Sequence, residues 1–289
     1  MKRIIDFIGK KHYAMIFSAF LSIMSILLLA TKGLNFSIDF KGGTIIEFWS
    51  QHENIEVNVK DLFAKQYSDL EIHKINDNTS LCCNYNLKLS ASDDIVSITE
   101  RLKRAFPDME LNHINYIGPK IGAEFAFDAT KAIIFSLLAM MIYVWIRFDL
   151  IFGVGVMLAL LHDVLITLGF FSILQFQFDL TSIAVVLTVV GYSINDSIVI
   201  YDRIRENLTQ SIKTIHKTEF GLLINRSINE TLSRTIMTSL TTLIVCIALL
   251  IFGGDALRGF SAGLSFGIAF GTYSSIYISA PVLMFFSKK

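Results

Sequence analysis

IAVVLTVVGYSINDSIVIYDRIRE, residues 183–206, combines two kinds of chemistry that rarely share one helix. Residues 183–194 are mostly apolar. Asn195 and Asp196 then stand side by side, and the stretch closes on Asp202, Arg203, Arg205 and Glu206, which read as the charged end of the helix. An ionisable side chain at the middle of a bilayer costs about 3 kcal/mol on insertion scales, so one retained there marks a functional position by default.

Whether 183–201 lies in a bilayer depends on its surroundings. A membrane-crossing helix takes about 20 predominantly apolar residues. Six stretches qualify, at about 13–31, 129–146, 150–174, 181–201, 235–252 and 260–286. The 289 residues are 53% hydrophobic and 17% charged, more apolar and less charged than a soluble domain. The fold class expected is therefore a polytopic α-helical membrane protein with six transmembrane helices. The formal net charge is zero and no basic–aromatic patch stands out, so nucleic acid is not expected as a partner.

The first span follows Lys2, Arg3, Lys10 and Lys11 and could be a signal peptide. Its apolar run is too long, and LLLATKG carries no small-x-small cleavage pattern, so an uncleaved anchor is expected. Basic residues also fall at Arg147, at Arg203, Arg205, Lys213, Lys217, Arg226 and Arg234 in a loop placed at 202–234, and at Lys288–Lys289. The loops on the other side hold only Arg258. By the positive-inside rule both termini are cytoplasmic and residues 34–128 lie on the outer face. FGLLINRSI, within the 202–234 loop, reads as an amphipathic stretch lying on the inner membrane surface.

Residues 34–128 read as a soluble domain. Val59, Leu62, Phe63 and Tyr67 share one helical face, and Ile95, Ile98, Leu102 and Phe106 another. Ser92 is placed to cap that second helix, with Asp93 and Asp94 in its first turn and Pro107 as its stop. Leu81, Cys83, Tyr85, Leu87 and Leu89 alternate as a strand after the turn NDNTS, and TIIEFW, LEIHKI and ELNHINYI are weaker strands. The order βαββαβ predicts an α+β ferredoxin-like outer domain inserted after the first helix. His52, His73 and His113 are scattered. Cys82 and Cys83 are adjacent and Cys246 lies in a span, so neither a disulfide framework nor a metal site is expected.

The polar residues inside the spans are His162 and Asp163, Asn195 and Asp196, and Arg234 where the fifth span begins. At 1.5 Å per residue Asp196 lies about 22 Å from Thr181 and Arg234 about 28 Å from Gly253. An arginine reaches about 6 Å, which brings the two to one level. Asp163 sits deeper, about 20 Å from Leu150, so the two acids are expected to line one hydrated path without touching. Thr188, Tyr192 and Asp196 are read on one face and Asn195 with Gly191 on another. A carboxylate alternating between dry and arginine-paired surroundings takes up and releases protons. The alternative is structural, with these groups as polar glue between helices. Gly259, Gly263, Gly267 and Gly271 recur every fourth residue and predict a groove for close helix packing.

Several stretches together resemble the SecD/SecF family. NFSIDFKGGTIIEF (35–48) is similar to its signature at Asp39, Phe40, Gly42 and Gly43. GPKIGAE (118–124), LLHDVLITLGFF (160–171), GYSINDSIVIYDRIREN (191–207) and LSRTIMTSLTTL (232–243) follow in the family's order. Six spans with one outer domain look like the SecF half rather than the SecD half. The resemblance implies a half-bundle related to the RND transporters, paired with SecD, joined to the SecYEG channel, often with YajC, and using the proton gradient to help move preproteins across the inner membrane. On it the family's acid falls on Asp196, its arginine on Arg234 and its His–Asp pair on His162 and Asp163. The loop after the fourth span looks longer than in typical members.

The leading expectation is therefore an accessory subunit of protein export, with protons as coupling ion and no other cofactor. Asp196 would carry the proton, Arg234 would be its charge partner, and Asp163 a secondary relay or helix-orienting group. A half-size RND-type exporter of small molecules and a non-conducting assembly subunit are the alternatives. No nucleophile elbow, zinc motif or phosphate loop points to an enzyme.

Overall fold

Among the described residues of the computed structural model, six helices are long and apolar enough to cross a membrane. The structure describes residues 5–50, 55–63, 70–75, 83–89, 95–210 and 217–286. His52, Tyr67, the NDNTS turn, Leu81, Cys82, the Ser92 cap with Asp93 and Asp94, and Lys213 lie outside them, as do the side chains of His73 and Cys83.

The first helix, α1 (Lys11–Thr31), leads to strand β1 (Asn35–Phe36), the short helix α2 (Ile38–Lys41) and strand β2 (Gly43–Ser50). The inserted domain continues through α3 (Ile55–Phe63), β3 (Glu71–Ile75), β4 (Cys83–Leu89), α4 (Ile95–Ala105) and β5 (Glu110–Ile117). Its sheet has the order β3-β4-β2-β5 with every pair antiparallel. One sheet face and the two helices close a core of Ile46, Phe48, Tyr85, Leu87 and Leu89 against Ile55, Val59, Phe63, Ile98 and Leu102. Leu62, expected on that inner face, is exposed instead. Ile55, Val59 and Phe63 repeat at four-residue spacing and fill it without Leu62.

Helix α5 (Pro119–Arg147) starts inside the segment assigned from sequence to the soluble domain. Pro119 sits in its first turn, where the missing N–H costs nothing. A turn then leads to α6 (Leu150–Leu174), which stops where Gln175 turns left-handed at φ 53°. Strand β6 (Gln177–Phe178) pairs in parallel with β1 and precedes α7 (Leu180–Gln210).

Much of the loop expected over 202–234 is helical, which is a correction. Helix α7 continues to Gln210, and α8 (Lys217–Phe252) begins well before Arg234. The charged residues occupy one side of the helices and neutralise each other there: Arg203 pairs with Glu206 at 2.5 Å and with Glu230 at 2.6 Å, and Arg226 with Glu230 at 2.8 Å. On the other side Tyr201 and Ile204 pack with Ile224 and Ile228. FGLLINRSI is accordingly part of α8, with Ile224 and Ile228 packed toward α7 and Leu222 left exposed. Asn225 and Asn229 also grip the chain before α1. Asn225 Oδ1 accepts from the Phe7 amide at 2.8 Å, Asn229 Oδ1 accepts from the Ile5 amide at 2.9 Å, and both side-chain amides donate to the Ile5 carbonyl.

The last span is also interrupted. Helix α9 (Gly254–Ser274) runs into a π-helical turn at Ser275–Ser279, followed by α10 (Ala280–Phe286). Helices α6 and α7 and the α9–α10 rod bury more than half of their apolar stretches, whereas α1, α5 and α8 bury less than a fifth. The acids predicted from sequence therefore sit on the central helices. The glycines of α9 allow this approach: a Cβ at Gly263 would stand 2.7 Å from the Phe171 ring, and one at Gly267 would collide with Val189. Gly271 faces Ser193, and Gly259 more loosely faces Phe176.

Candidate functional site

Asp163, on α6, is fully buried. Its Oδ2 accepts from Ser193 Oγ on α7 and from Ser274 Oγ on α9, each at 2.6 Å. Its Oδ1 lies 3.0 Å from His162 Nδ1, whose ring Nε2 is buried without a partner among the described residues. Three short contacts from three directions hold this carboxylate in a single position.

Asp196, on α7, is 1% exposed but far more loosely held. Its Oδ2 accepts from Thr272 Oγ1 at 3.2 Å, and that hydroxyl also donates to the Ile268 carbonyl at 3.0 Å. Ser239 of α8 stands 2.6 Å from the same hydroxyl. Arg234, on α8, bears on Asp196 electrostatically but makes no ion pair with it among the described residues, and its side chain is exposed. The meeting expected from helix depths is thus an approach without contact.

The two acids are not bonded to each other; both are tied to one segment of α9, Asp196 through Thr272 and Asp163 through Ser274. Hydroxyls continue toward the other end of α7. Ser275 Oγ donates to the Ser193 carbonyl and Ser197 Oγ to Ser275 Oγ, both at 3.1 Å. Tyr201 donates to the Ser279 carbonyl at 3.0 Å and accepts from Ser279 Oγ at 2.6 Å, inside the π turn. None of these hydroxyl residues was singled out from sequence. The signal that could have found them is the serine density of GTYSSIYISA, since hydroxyls on apolar helices tend to face a partner helix.

Asn195 is exposed, pointing away from the acids. Thr188, expected beside Asp196, is exposed with it, as are Thr181 and Ala184. Helical geometry explains the correction: at 100° per residue, seven positions return to within 20° of the start, whereas eight overshoot by about 80°. Thr188 therefore shares a face with Asn195 and not with Asp196. Gly191 lies on this stripe with open space where a Cβ would be.

The signature residues sit at the junction of domain and bundle. Asp39 Oδ2 accepts from the Leu180 amide at the start of α7 at 3.3 Å. Phe40 is buried in a cluster with Phe171 and Phe178. Gly42 has φ 79° and abuts Pro119, where a Cβ would come within 2.8 Å of backbone. A Cβ on Gly43 would collide with the Leu89 carbonyl. Only glycine combines that φ with these approaches.

Six membrane-length helices enclosing two buried acids, with an α/β domain inserted after the first, define a polytopic helical membrane protein. Two family models match it: protein export membrane protein SecD/SecF, C-terminal, over residues 97–289, and the SecD/SecF GG motif over residues 27–48. The chain is 42% identical to the protein translocase subunit SecF of Rickettsia bellii, covering 98% of this chain and 94% of that one. It is 41% identical to the SecF of Rickettsia rickettsii, covering 98% and 92%. A crystal structure of SecDF, a translocon-associated membrane protein from Thermus thermophilus, superposes with a TM-score of 0.82 at 36% identity over 100% of this chain. SecDF in a super-membrane-facing form superposes with 0.74 at 37% identity over 99%. The match spans 39% of each of those SecDF chains. The chain belongs to the SecD/SecF family of protein-export membrane proteins.

Proposed function

We propose that this chain is an accessory subunit of Sec-dependent protein translocation which, paired with SecD, uses the proton-motive force to promote export of preproteins across the inner membrane. The carrying observation is the contrast between the two acids. Asp163 has two hydroxyl donors at 2.6 Å and the His162 ring at 3.0 Å, while Asp196 has one shared hydroxyl at 3.2 Å. An ionised carboxylate removed from water needs several kcal/mol of compensation, which one shared hydroxyl does not supply. Asp196 must therefore be neutralised, by a proton or by closer approach of Arg234. These are two states of one helix pair, and occupancy by a proton selects between them. Asp196 is the carrier, Arg234 its alternating partner, and Asp163 with His162 the group that orients α6, α7 and α9.

Pairing with a second half is supported by the stripe of exposed Thr181, Ala184, Thr188 and Asn195 with half-buried Gly191. Its small and polar residues suit another helix better than lipid. The length of the SecDF chains, of which this chain matches 39%, agrees with a missing half. SecYEG, YajC and the preprotein are the further partners on this reading. Cytoplasmic termini are supported by Arg147, Arg203, Arg205 and Arg226 gathering at the bundle end that holds Phe7. The inserted domain is then periplasmic, and its strand order β3-β4-β2-β5 supports the ferredoxin-like reading.

The test is gradient-dependent completion of secretion in vesicles, comparing the native chain with Asp196→Asn and Arg234→Met. Both variants assemble and lose the gradient's benefit. If both respond fully, the reading is wrong.

A further inference from the structure

A proton cycle in the bundle does no work outside it unless movement of the helices reaches the inserted domain. The geometry of the junction points to the route. The chain entering the domain is bonded through Asn35, Phe36, Ser37 and Asp39 to the turn that leads into α7. Asn35 and Phe36 pair with Gln177 and Phe178, and the Ser37 amide donates to the Phe178 carbonyl at 3.0 Å. Asn35 Nδ2 donates to the Gln175 carbonyl at 3.2 Å, and Asp39 accepts from the Leu180 amide. Phe36, Phe40 and Phe178 pack as mutual ring contacts at 5.8–6.1 Å, with Phe171 of α6 5.5 Å from Phe178.

The exit from the domain is clamped to the entry. Gly42 abuts Pro119, and Gly122 lies against the Phe40 carbonyl, where a Cβ would come within 2.7 Å. From the sheet itself, Lys88 of β4 donates to Gln177 Oε1 at 2.8 Å. Among the described residues the domain thus has two covalent stems clamped to each other, a side-chain tie from Lys88 to β6, and a further approach of β3 to α9. Asp196 sits on α7, the helix that follows β6.

We infer that residues Asn35–Gly43 form a rigid coupling that passes displacement of α7 to the inserted domain, with Asp39 and Lys88 as its positioning residues. What displaces α7 rests on the proton reading above; the stiffness of the coupling does not. Asp39 fixes the entry chain to the end of the helix, because a carboxylate accepting a first-turn amide is also favoured by the helix dipole. Lys88 fixes the sheet to the same turn, so that the domain follows without pivoting on its stems.

The test uses the full chain with its partner half in vesicles, native cysteines replaced by serine. Nitroxide pairs are placed at Val57 and Ile173 (domain to bundle) and at Leu161 and Met237 (across the bundle), all exposed positions. Without a gradient, the Val57–Ile173 distance distribution is narrow in the native chain. It broadens in Asp39→Ala/Lys88→Ala, while Asp39→Asn, which keeps an acceptor for Leu180, matches the native width. The Leu161–Met237 distance, unchanged in all of them, shows that the bundle is folded. An unchanged Val57–Ile173 width in the double variant overturns the coupling. With a proton gradient imposed, both pairs shift in the native chain and only the bundle pair shifts in the double variant. A native bundle pair that ignores the gradient counts against the proton reading alone, because the width comparison still decides the coupling.

Discussion

Thr272 and Ser274 stand two positions apart on α9 and hold different acids, Asp196 at 3.2 Å and Asp163 at 2.6 Å. One short segment, immediately before the π turn, therefore senses both carboxylates. A change of charge at Asp196 alters its contact with this segment, while Asp163 keeps the other side of the segment fixed.

Thr272→Val keeps the shape of the side chain and removes the donor to Asp196 and the hydroxyl facing Ser239. Ser239 retains the Thr235 carbonyl, so the cost in stability stays at about 1 kcal/mol. Gradient-stimulated export falls several-fold, whereas export measured without a gradient is unchanged. A translocation assay with and without an ionophore reads both.

Asp163→Ala acts on the fold. It strands Ser193 and His162 Nδ1 in a buried space, while Ser274 keeps the Gly271 carbonyl, and costs on the order of 2–3 kcal/mol. Thermal aggregation in detergent should start well below that of the native chain. Ser193→Ala, which removes one of the two hydroxyl donors, should lower it only slightly.

Gly267→Leu forces α9 away from Val189. Overpacking of this kind costs about 1–3 kcal/mol, and the displaced helix carries Thr272 and Ser274 with it. Gly259→Leu meets only Phe176 at its edge and should be tolerated. Comparing the yields of folded protein for the two variants separates a packing face from a merely flexible one.

Asn225→Ala with Asn229→Ala removes the side-chain partners of Ile5, Phe7 and Ile8. The segment before α1 should become cleavable by protease from its own side of the membrane, while the native chain stays protected. Equal protection in both would contradict the clamp.

What could be read in advance follows from what hydropathy measures. Long apolar runs such as residues 150–174 were legible because a span is a property of composition. The continuation of α7 through Asp202, Arg203, Arg205 and Glu206 was legible as the charged end of a helix; its run on to Gln210 and the start of α8 at Lys217 were not. Those charges pair along and between helices, as Arg203 does with Glu206 and Glu230, so the helix extends past its apolar part. Tyr201, Ile204 and Leu208 carried the helical spacing for it, but the polar stretch after the charges reads first as a loop. Asp163, Asp196 and Arg234 were legible because an ionisable group in an apolar run is conspicuous. Their partners Ser193, Thr272 and Ser274 were not, since a serine or threonine in a helix is unremarkable until a neighbouring helix is set against it. The π turn at Ser275–Ser279 left no mark in SSIYIS that an ordinary helix would lack.

Export into sealed vesicles under an imposed pH difference, with the native chain and Asp196→Asn side by side, tests the proton claim most directly. The native chain should complete translocation faster with the gradient than without it, and Asp196→Asn should run at the gradient-free rate in both conditions. A variant that gains as much from the gradient as the native chain would contradict the assignment of Asp196 as the proton carrier.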